Sequence, residues 1–182
     1  LYENATGAWK PVKPFAAQSV VDCHSTRDGR LWVVVDGDGV FEVDPKQGVA
    51  EAKHHLAGMN VRSLRLDSRG RLWCGLLGRG VAVLNQAGKW TMHIEKETSA
   101  VLTLAEDSVG HIWAGTSSGG LYQYDGKTWT KHFADEGAVS LLFADSKGRL
   151  WVSTQAKGGL RCRENGVWRR SLDNRLPMTA RV

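Results

Sequence analysis

Three aspartates recur in step along this 182-residue chain: Asp67, Asp107 and Asp145, each with a glycine three residues later (Gly70, Gly110, Gly148). Paired carboxylates are what glycoside hydrolysis uses as acid and nucleophile or base, so these are the first residues to test for chemistry. Their fixed distance to glycine points elsewhere. An Asp carboxylate accepts backbone N–H bonds inside a tight turn, and glycine takes the left-handed conformation that the turn needs. The three aspartates therefore read as turn residues.

Histidine and cysteine give no better set. His54, His93 and His132 read as one repeated position near the end of a strand, and His24 and His111 fall elsewhere. No HxH or HxxxH pair occurs, and the adjacent His54 and His55 would face opposite sides of a strand. The three cysteines, Cys23, Cys74 and Cys162, form no CxxC pair and no zinc-type spacing. Cys74 directly follows a tryptophan in a strand, where a buried, inert thiol is expected. There is no GxSxG elbow, phosphate loop or dinucleotide fingerprint. Gly78-Arg79-Gly80 lies between strands rather than before a helix. The expectation is a non-catalytic chain without metal or cofactor.

The elements that carry these residues form a repeat. Asp67-Ser-Arg-Gly-Arg-Leu-Trp73, Asp107-Ser-Val-Gly-His-Ile-Trp113 and Asp145-Ser-Lys-Gly-Arg-Leu-Trp151 are three copies of one segment. Thr26-Arg-Asp-Gly29-Arg-Leu-Trp32 is a fourth, with Thr26 in place of the aspartate. The tryptophans Trp32, Trp73, Trp113 and Trp151 recur at intervals of 41, 40 and 38 residues. Gly39-Val40, Gly80-Val81, Gly120-Leu121 and Gly159-Leu160 follow in phase, as do the later Trp90, Trp129 and Trp168.

Each repeat alternates apolar and polar residues before the Asp turn, as in Val61–Leu66, and resumes a strand at Leu-Trp. A glycine-rich loop leads to a third strand and a second turn to a fourth. Four short antiparallel strands in about forty residues is the signature of a propeller blade. Such a sheet has two faces to cover, so blades stack around an axis. The predicted fold is all-β, a β-propeller with blades at about 20–58, 61–94, 101–133 and 139–171. Residues 1–14 read as the last strand of a preceding blade and 176–182 as the start of a following one. Trp9 precedes Trp32 by the 23 residues that separate Trp90 from Trp113. The chain thus reads as part of a larger propeller, completed by further blades or by neighbouring chains.

Composition agrees. Apolar residues make up 42% and charged residues 24%, which argues against disorder. The 21 glycines fit many tight turns, and 8 tryptophans against 3 tyrosines fit one large residue reused in one role. The net charge of +5 is spread along the chain rather than gathered into a stripe, so nucleic-acid binding is not expected. No apolar run reaches the length of about eighteen residues that spans a bilayer, and no signal-peptide pattern opens the chain.

The pattern V-x-S-L-x-x-D-S-x-G-x-L-W-x-G-T-x-x-G-G-L-x-x-Y, best seen from Val101 to Tyr124, resembles the two-component regulator propeller repeat. Val61–Val83 and Val139–Leu160 follow it well, and Val20–Val43 more loosely. That resemblance implies the sensor part of a bacterial signal-transduction receptor, periplasmic or extracellular, with a small molecule or glycan as ligand. The kinase or cyclase output and the β-sandwich typical of the family have no counterpart in these residues. Streptogramin lyases have similar blades, but act with a metal ion and a histidine.

Scaffolds present sites where their repeats differ. The loops between second and third strands read Asp36-Gly-Asp38, Leu76-Leu-Gly-Arg79, Thr116-Ser-Ser118 and Thr154-Gln-Ala-Lys157. Asp36, Asp38, Arg79, Gln155 and Lys157 are therefore the candidate ligand-binding residues. The turn aspartates, the four tryptophans and Gly29, Gly70, Gly110 and Gly148 are read as structural.

Overall fold

The computed structural model describes residues 2–3, 8–9, 15, 18–44, 51–94, 99–118, 120–133, 137–155 and 159–170. Every described strand pairing is antiparallel and joins neighbours in sequence. A short hairpin of β1 (Tyr2–Glu3) and β2 (Ala8–Trp9) is followed by four blades. Blade 1 comprises β3 (Val20–Ser25), β4 (Leu31–Val35), β5 (Gly39–Val43) and β6 (Lys53–His55). Blade 2 comprises β7 (Val61–Leu66), β8 (Leu72–Leu76), β9 (Val81–Leu84) and β10 (Trp90–His93). Blade 3 runs through β11 (Val101–Glu106), β12 (Ile112–Thr116), β13 (Leu121–Tyr124) and β14 (Trp129–His132). Blade 4 runs through β15 (Val139–Ala144), β16 (Leu150–Thr154), β17 (Gly159–Glu164) and β18 (Val167–Arg170). Two short strands thus stand where one was expected at the N-terminus. The expected strand start at 176–182 lies outside the described residues.

The cores lie between blades. Trp73, Val81 and Val83 of blade 2 pack on Val101, Leu104, Ile112 and Ala114 of blade 3. Trp113 and Leu121 repeat this against Val139, Leu142, Leu150 and Val152, and Trp32, Val34 and Val40 against Val61, Leu64, Leu72 and Cys74. Trp73 and Trp113 are fully buried. Neither sheet face alone could hide its apolar residues; stacking hides both.

The innermost strands β3, β7, β11 and β15 pack each on the next, and no comparable packing joins β15 back to β3 among the described residues. The four blades form an open arc. The outward face of blade 4 is consequently bare: Phe143 is 57% and Leu141 52% exposed, whereas Ala105, equivalent to Phe143 in blade 3, is 3% exposed.

Two backbone details recur. The residue after the fourth strand in blades 1, 2 and 3, Leu56, Ile94 or Phe133, is non-glycine at positive φ. Its turned backbone places carbonyl oxygens against the glycine that starts the third strand. A Cβ on Gly80, itself at φ +72, would lie 2.3 Å from the His93 carbonyl oxygen. Gly80→Ala is therefore expected to cost roughly 2–4 kcal/mol, since strain and overlap add. Urea denaturation measures it, and a loss below about 0.5 kcal/mol would contradict this packing.

The second detail is the spacing of blades. A Cβ on Gly75 would come 2.7 Å from the Val101 carbonyl oxygen of blade 3, and one on Gly115 would meet Val139 of blade 4. Blade 1 carries Val34 at that position, so blade 2 cannot approach blade 1 as closely. β7 accordingly packs on β4 less extensively than β11 on β8.

Candidate functional site

In a meander blade the first and third turns lie at one end and the second loop and the inter-blade connection at the other. The two ends of the arc are thus a turn face and a loop face.

On the turn face each aspartate is saturated. Asp67 Oδ1 accepts the backbone N–H groups of Arg69 (3.0 Å) and Arg71 (2.8 Å). Its Oδ2 accepts the Trp73 indole N–H at 2.8 Å and the Arg71 Nε–H at 2.6 Å. Asp107 holds Val109, His111 and Trp113 in the same way, and Asp145 holds Lys147, Arg149 and Trp151. The link from turn aspartate to core tryptophan six residues on had no counterpart in the sequence reading. Its signal was present as the unvarying Asp-to-Trp distance in three repeats. The Trp151 indole N–H, followed by Arg149 and the backbone N–H groups, holds the Asp145 carboxyl well below the ordinary carboxylate range. A depressed native pKa contributes stability above the unfolded pKa and loses it as pH falls through the native value. Asp145→Asn is accordingly expected to destabilise blade 4 at pH 7 and to shrink the loss of stability on acidification below about pH 4. Unfolding midpoints measured across pH check this; an unchanged pH slope would contradict it.

The histidines need one correction. Strand register pairs His55 with Val40, His93 with Val81 and His132 with Leu121, so His55, not His54, is the repeated histidine. Counting back from the shared positive-φ residue, rather than along the sequence, makes the equivalence clear. These rings pack on the blade tryptophans at centroid distances of 5.2 Å (Trp32–His55), 5.9 Å (Trp73–His93) and 5.3 Å (Trp113–His132). Burial and the nearby Arg163 hold His132 below the ordinary histidine range. His54 instead stacks on Phe41 with ring centroids 4.2 Å apart.

Cys74 is buried in the core between blades 1 and 2, and burial pushes its thiol far up. Cys23 is exposed. Iodoacetamide at pH 8 is expected to label Cys23 rapidly and Cys74 only in denaturant; mass spectrometry of the native chain reads this, and rapid Cys74 labelling would contradict the core assignment.

On the loop face, the first loop residue of each blade is tied to the residue just ahead of the first strand: Asp36 N–H to Ser19 O, Leu77 N–H to Asn60 O, Ser117 N–H to Ala100 O and Gln155 N–H to Ala138 O. Asp36 and Asp38 are both engaged: Asp36 meets Arg62 of blade 2 at 3.3 Å, and Asp38 meets His54 at 3.5 Å. A histidine therefore does reach this face, from the fourth strand rather than from a loop. Arg79 and Gln155 have exposed side chains. Lys157 lies outside the described residues. Two cavities among the described residues open on the turn face, and neither is lined by Asp36, Asp38, Arg79 or Gln155.

The larger cavity, of about 1090 Å³, lies between blades 1 and 2 and is lined by Trp32, Arg65, Glu42 and the turns at Thr26–Arg30 and Asp67–Gly70. A smaller one, of about 550 Å³, lies between blades 3 and 4 beside Asp107 and Arg163. Among the described residues no group of three His, Cys, Asp or Glu is arranged to hold a metal ion.

No protein-family model and no curated protein matches the sequence. Solved structures do. The extracellular domain of the hybrid two-component system BT4673 from B. thetaiotaomicron superposes with a TM-score of 0.67 at 21% identity, over 82% of this chain and 22% of that one. Virginiamycin B lyase from Staphylococcus aureus gives 0.71 at 14% identity, over 84% and 55%. YCF48 bound to D1 peptide gives 0.65 at 16% identity, over 90% and 57%. These likenesses define the class: the chain is a β-propeller arc, spanning about a fifth of the sensor domain and about half of the other two.

Proposed function

We propose that the chain is a non-catalytic binding module within a larger propeller, the extracytoplasmic sensor part of a bacterial signal-transduction receptor. One observation carries the binding reading. The repeated carboxylates and imidazoles are consumed inside the blades, closing turns and holding the core tryptophans, and what differs between blades is left at the surface, on loops that backbone bonds hold in place. The fold likeness to an extracellular two-component sensor domain supports the sensor context and the location outside the cytoplasm. The ligand, a small molecule or glycan, is read by the loop face at Arg79, Gln155 and Lys157, with Asp36 and Asp38 at its margin. The bare face of blade 4 is covered by a further blade or a neighbouring chain, since Phe143 and Leu141 are otherwise left in water.

A thermal-shift screen of oligosaccharides and small metabolites tests this. A ligand that raises Tm, and whose effect is lost in Arg79→Ala or Gln155→Ala, supports the loop-face reading. Arg79 is exposed, so its removal is expected to change stability by less than about 0.5 kcal/mol. Ligand response unchanged in both variants counts against the placement, and turnover of the ligand counts against a non-catalytic role.

A further inference from the structure

The seam between blades 3 and 4 is where one repeated ion pair depends on a proton. In blades 2 and 4 the residue four after the turn aspartate is arginine, and its Nε–H donates to the aspartate Oδ2: Arg71 to Asp67 at 2.6 Å and Arg149 to Asp145 at 2.7 Å. Each guanidinium also lies over the core tryptophan of its own blade, 4.9 Å and 5.1 Å from the ring centroid. Blade 3 carries His111 at that position, with Nδ1 3.4 Å from Asp107 Oδ2. Its guanidinium comes instead from the neighbouring blade. Arg163 Nη1 lies 3.8 Å from the same Oδ2, and the guanidinium carbon 5.0 Å from the Trp113 centroid. Register sets these groups face to face: Trp113 pairs with Gln123 on the side of blade 3 that packs on blade 4, and Arg163 pairs with Leu150 on the side of blade 4 that packs on blade 3.

The bonding of His111 is that of a neutral ring. Gln123 Nε2 donates to His111 Nδ1 at 2.8 Å, and Gln123 Oε1 accepts from His132 Nε2 at 3.1 Å. An amide donates only from nitrogen, so this chain of bonds requires a bare lone pair on Nδ1. A proton there sets two donors against each other and turns the ring toward Asp107, the kind of acceptor that Arg71 and Arg149 find in their own blades. The surrounding charges are one-sided. Lys147 and Arg163 line the cleft from blade 4, and Asp107 is its one carboxylate among the described residues. Arg69 of blade 2 and Glu106 stand beside the neighbouring Gly110, with Glu106 already bonded to Ser68. Burial and Arg163 hold His132 below the ordinary histidine range, so it resists a second proton.

We propose that His111 is a proton-operated switch at this seam: once protonated, it takes Asp107 from Arg163, exchanging an ion pair between blades for one within blade 3. Acidification through the interval in which histidines gain charge, roughly pH 7 to 5, brings imidazolium and guanidinium to one carboxylate oxygen. The two cations repel, and blade 4 loses its charged tie to blade 3. Blade 4 ends the described arc, so its packing on blade 3 is what holds it in place. The switch does not depend on which ligand the loop face reads.

Hydrogen exchange of the whole chain at about pH 7.5 and about pH 5.5, each corrected for the intrinsic exchange rate, tests this. Protection in Gly159–Arg170 is expected to fall at least about tenfold at the lower pH, while that in Val61–His93 changes by less than about threefold. His111→Gln, neutral at both pH values, is expected to keep the high protection at both. His111→Arg, charged at both, is expected to show the low protection at both. The His111 side chain is 29% exposed at the end of a turn, so neither variant threatens folding. Protection in Gly159–Arg170 that does not change with pH in the native sequence overturns the inference. So does an acid response that survives in His111→Gln, which would place the titrating group elsewhere, His132 included. A His111→Arg chain as well protected at the higher pH as the native sequence also overturns it, because a cation at that position would then not displace Arg163.

Discussion

Trp73→Ala is expected to destabilise the chain by roughly 3–5 kcal/mol, the largest effect of any single substitution considered. Trp73 is fully buried between blades 2 and 3, against Val101, Leu104, Ile112 and Ala114, with Trp129 and Tyr124 at its edge. Burying such a side chain removes roughly 150–250 Å² from water, about 4–6 kcal/mol gross at the usual coefficient. The blades on either side are held by their own sheets and can collapse only partly into the space, so much of that cost is retained. Urea denaturation at pH 7 reads it; a loss under about 1 kcal/mol would mean that Trp73 is not core.

Asp67→Ala is expected to cost about 3 kcal/mol or more, although it removes only a small side chain. Asp67 is itself buried, and four donors converge on it: two backbone N–H groups, the Arg71 Nε–H and the Trp73 indole N–H. Each buried donor left unanswered costs on the order of 1–3 kcal/mol, and the Arg71 charge also loses its counter-ion. Blade 1 shows what compensates when the aspartate is missing: Arg30 there pairs with Asp28 and Glu42, and the indole faces an open cleft. Blade 2 has no such cleft at Trp73, which is sealed against blade 3. Because Asp67 and Trp73 are bonded, Asp67→Ala/Trp73→Ala should lose clearly less than the sum of the two single losses. Additive losses would contradict the coupling.

The blades were legible in the sequence because the chain states them four times. Asp, Gly, Trp and the later Gly each answer a local demand: a turn, a left-handed residue, a buried wall and a close approach of backbone. Local demands of that kind are set within a few residues, so spacing reveals them. Strand β7 was read residue for residue from its alternation. The outer histidine was misplaced by one position, because the connection before the fourth strand in blade 1 differs in length from the others. Only the register of that strand shows that His55 is the repeated residue.

The turn aspartates, which first looked able to do chemistry, illustrate the division. By itself the sequence determined that they belong to turns, since the Gly three residues on and the Trp six residues on never shift. The tertiary structure alone decided what those carboxylates hold, and that Trp32, whose blade carries Thr26 in place of the aspartate, lines a cleft between two sheets. The reason is physical: a turn is closed by neighbours in sequence, whereas an inter-blade cleft is made by residues some forty positions apart that meet only when two sheets stack.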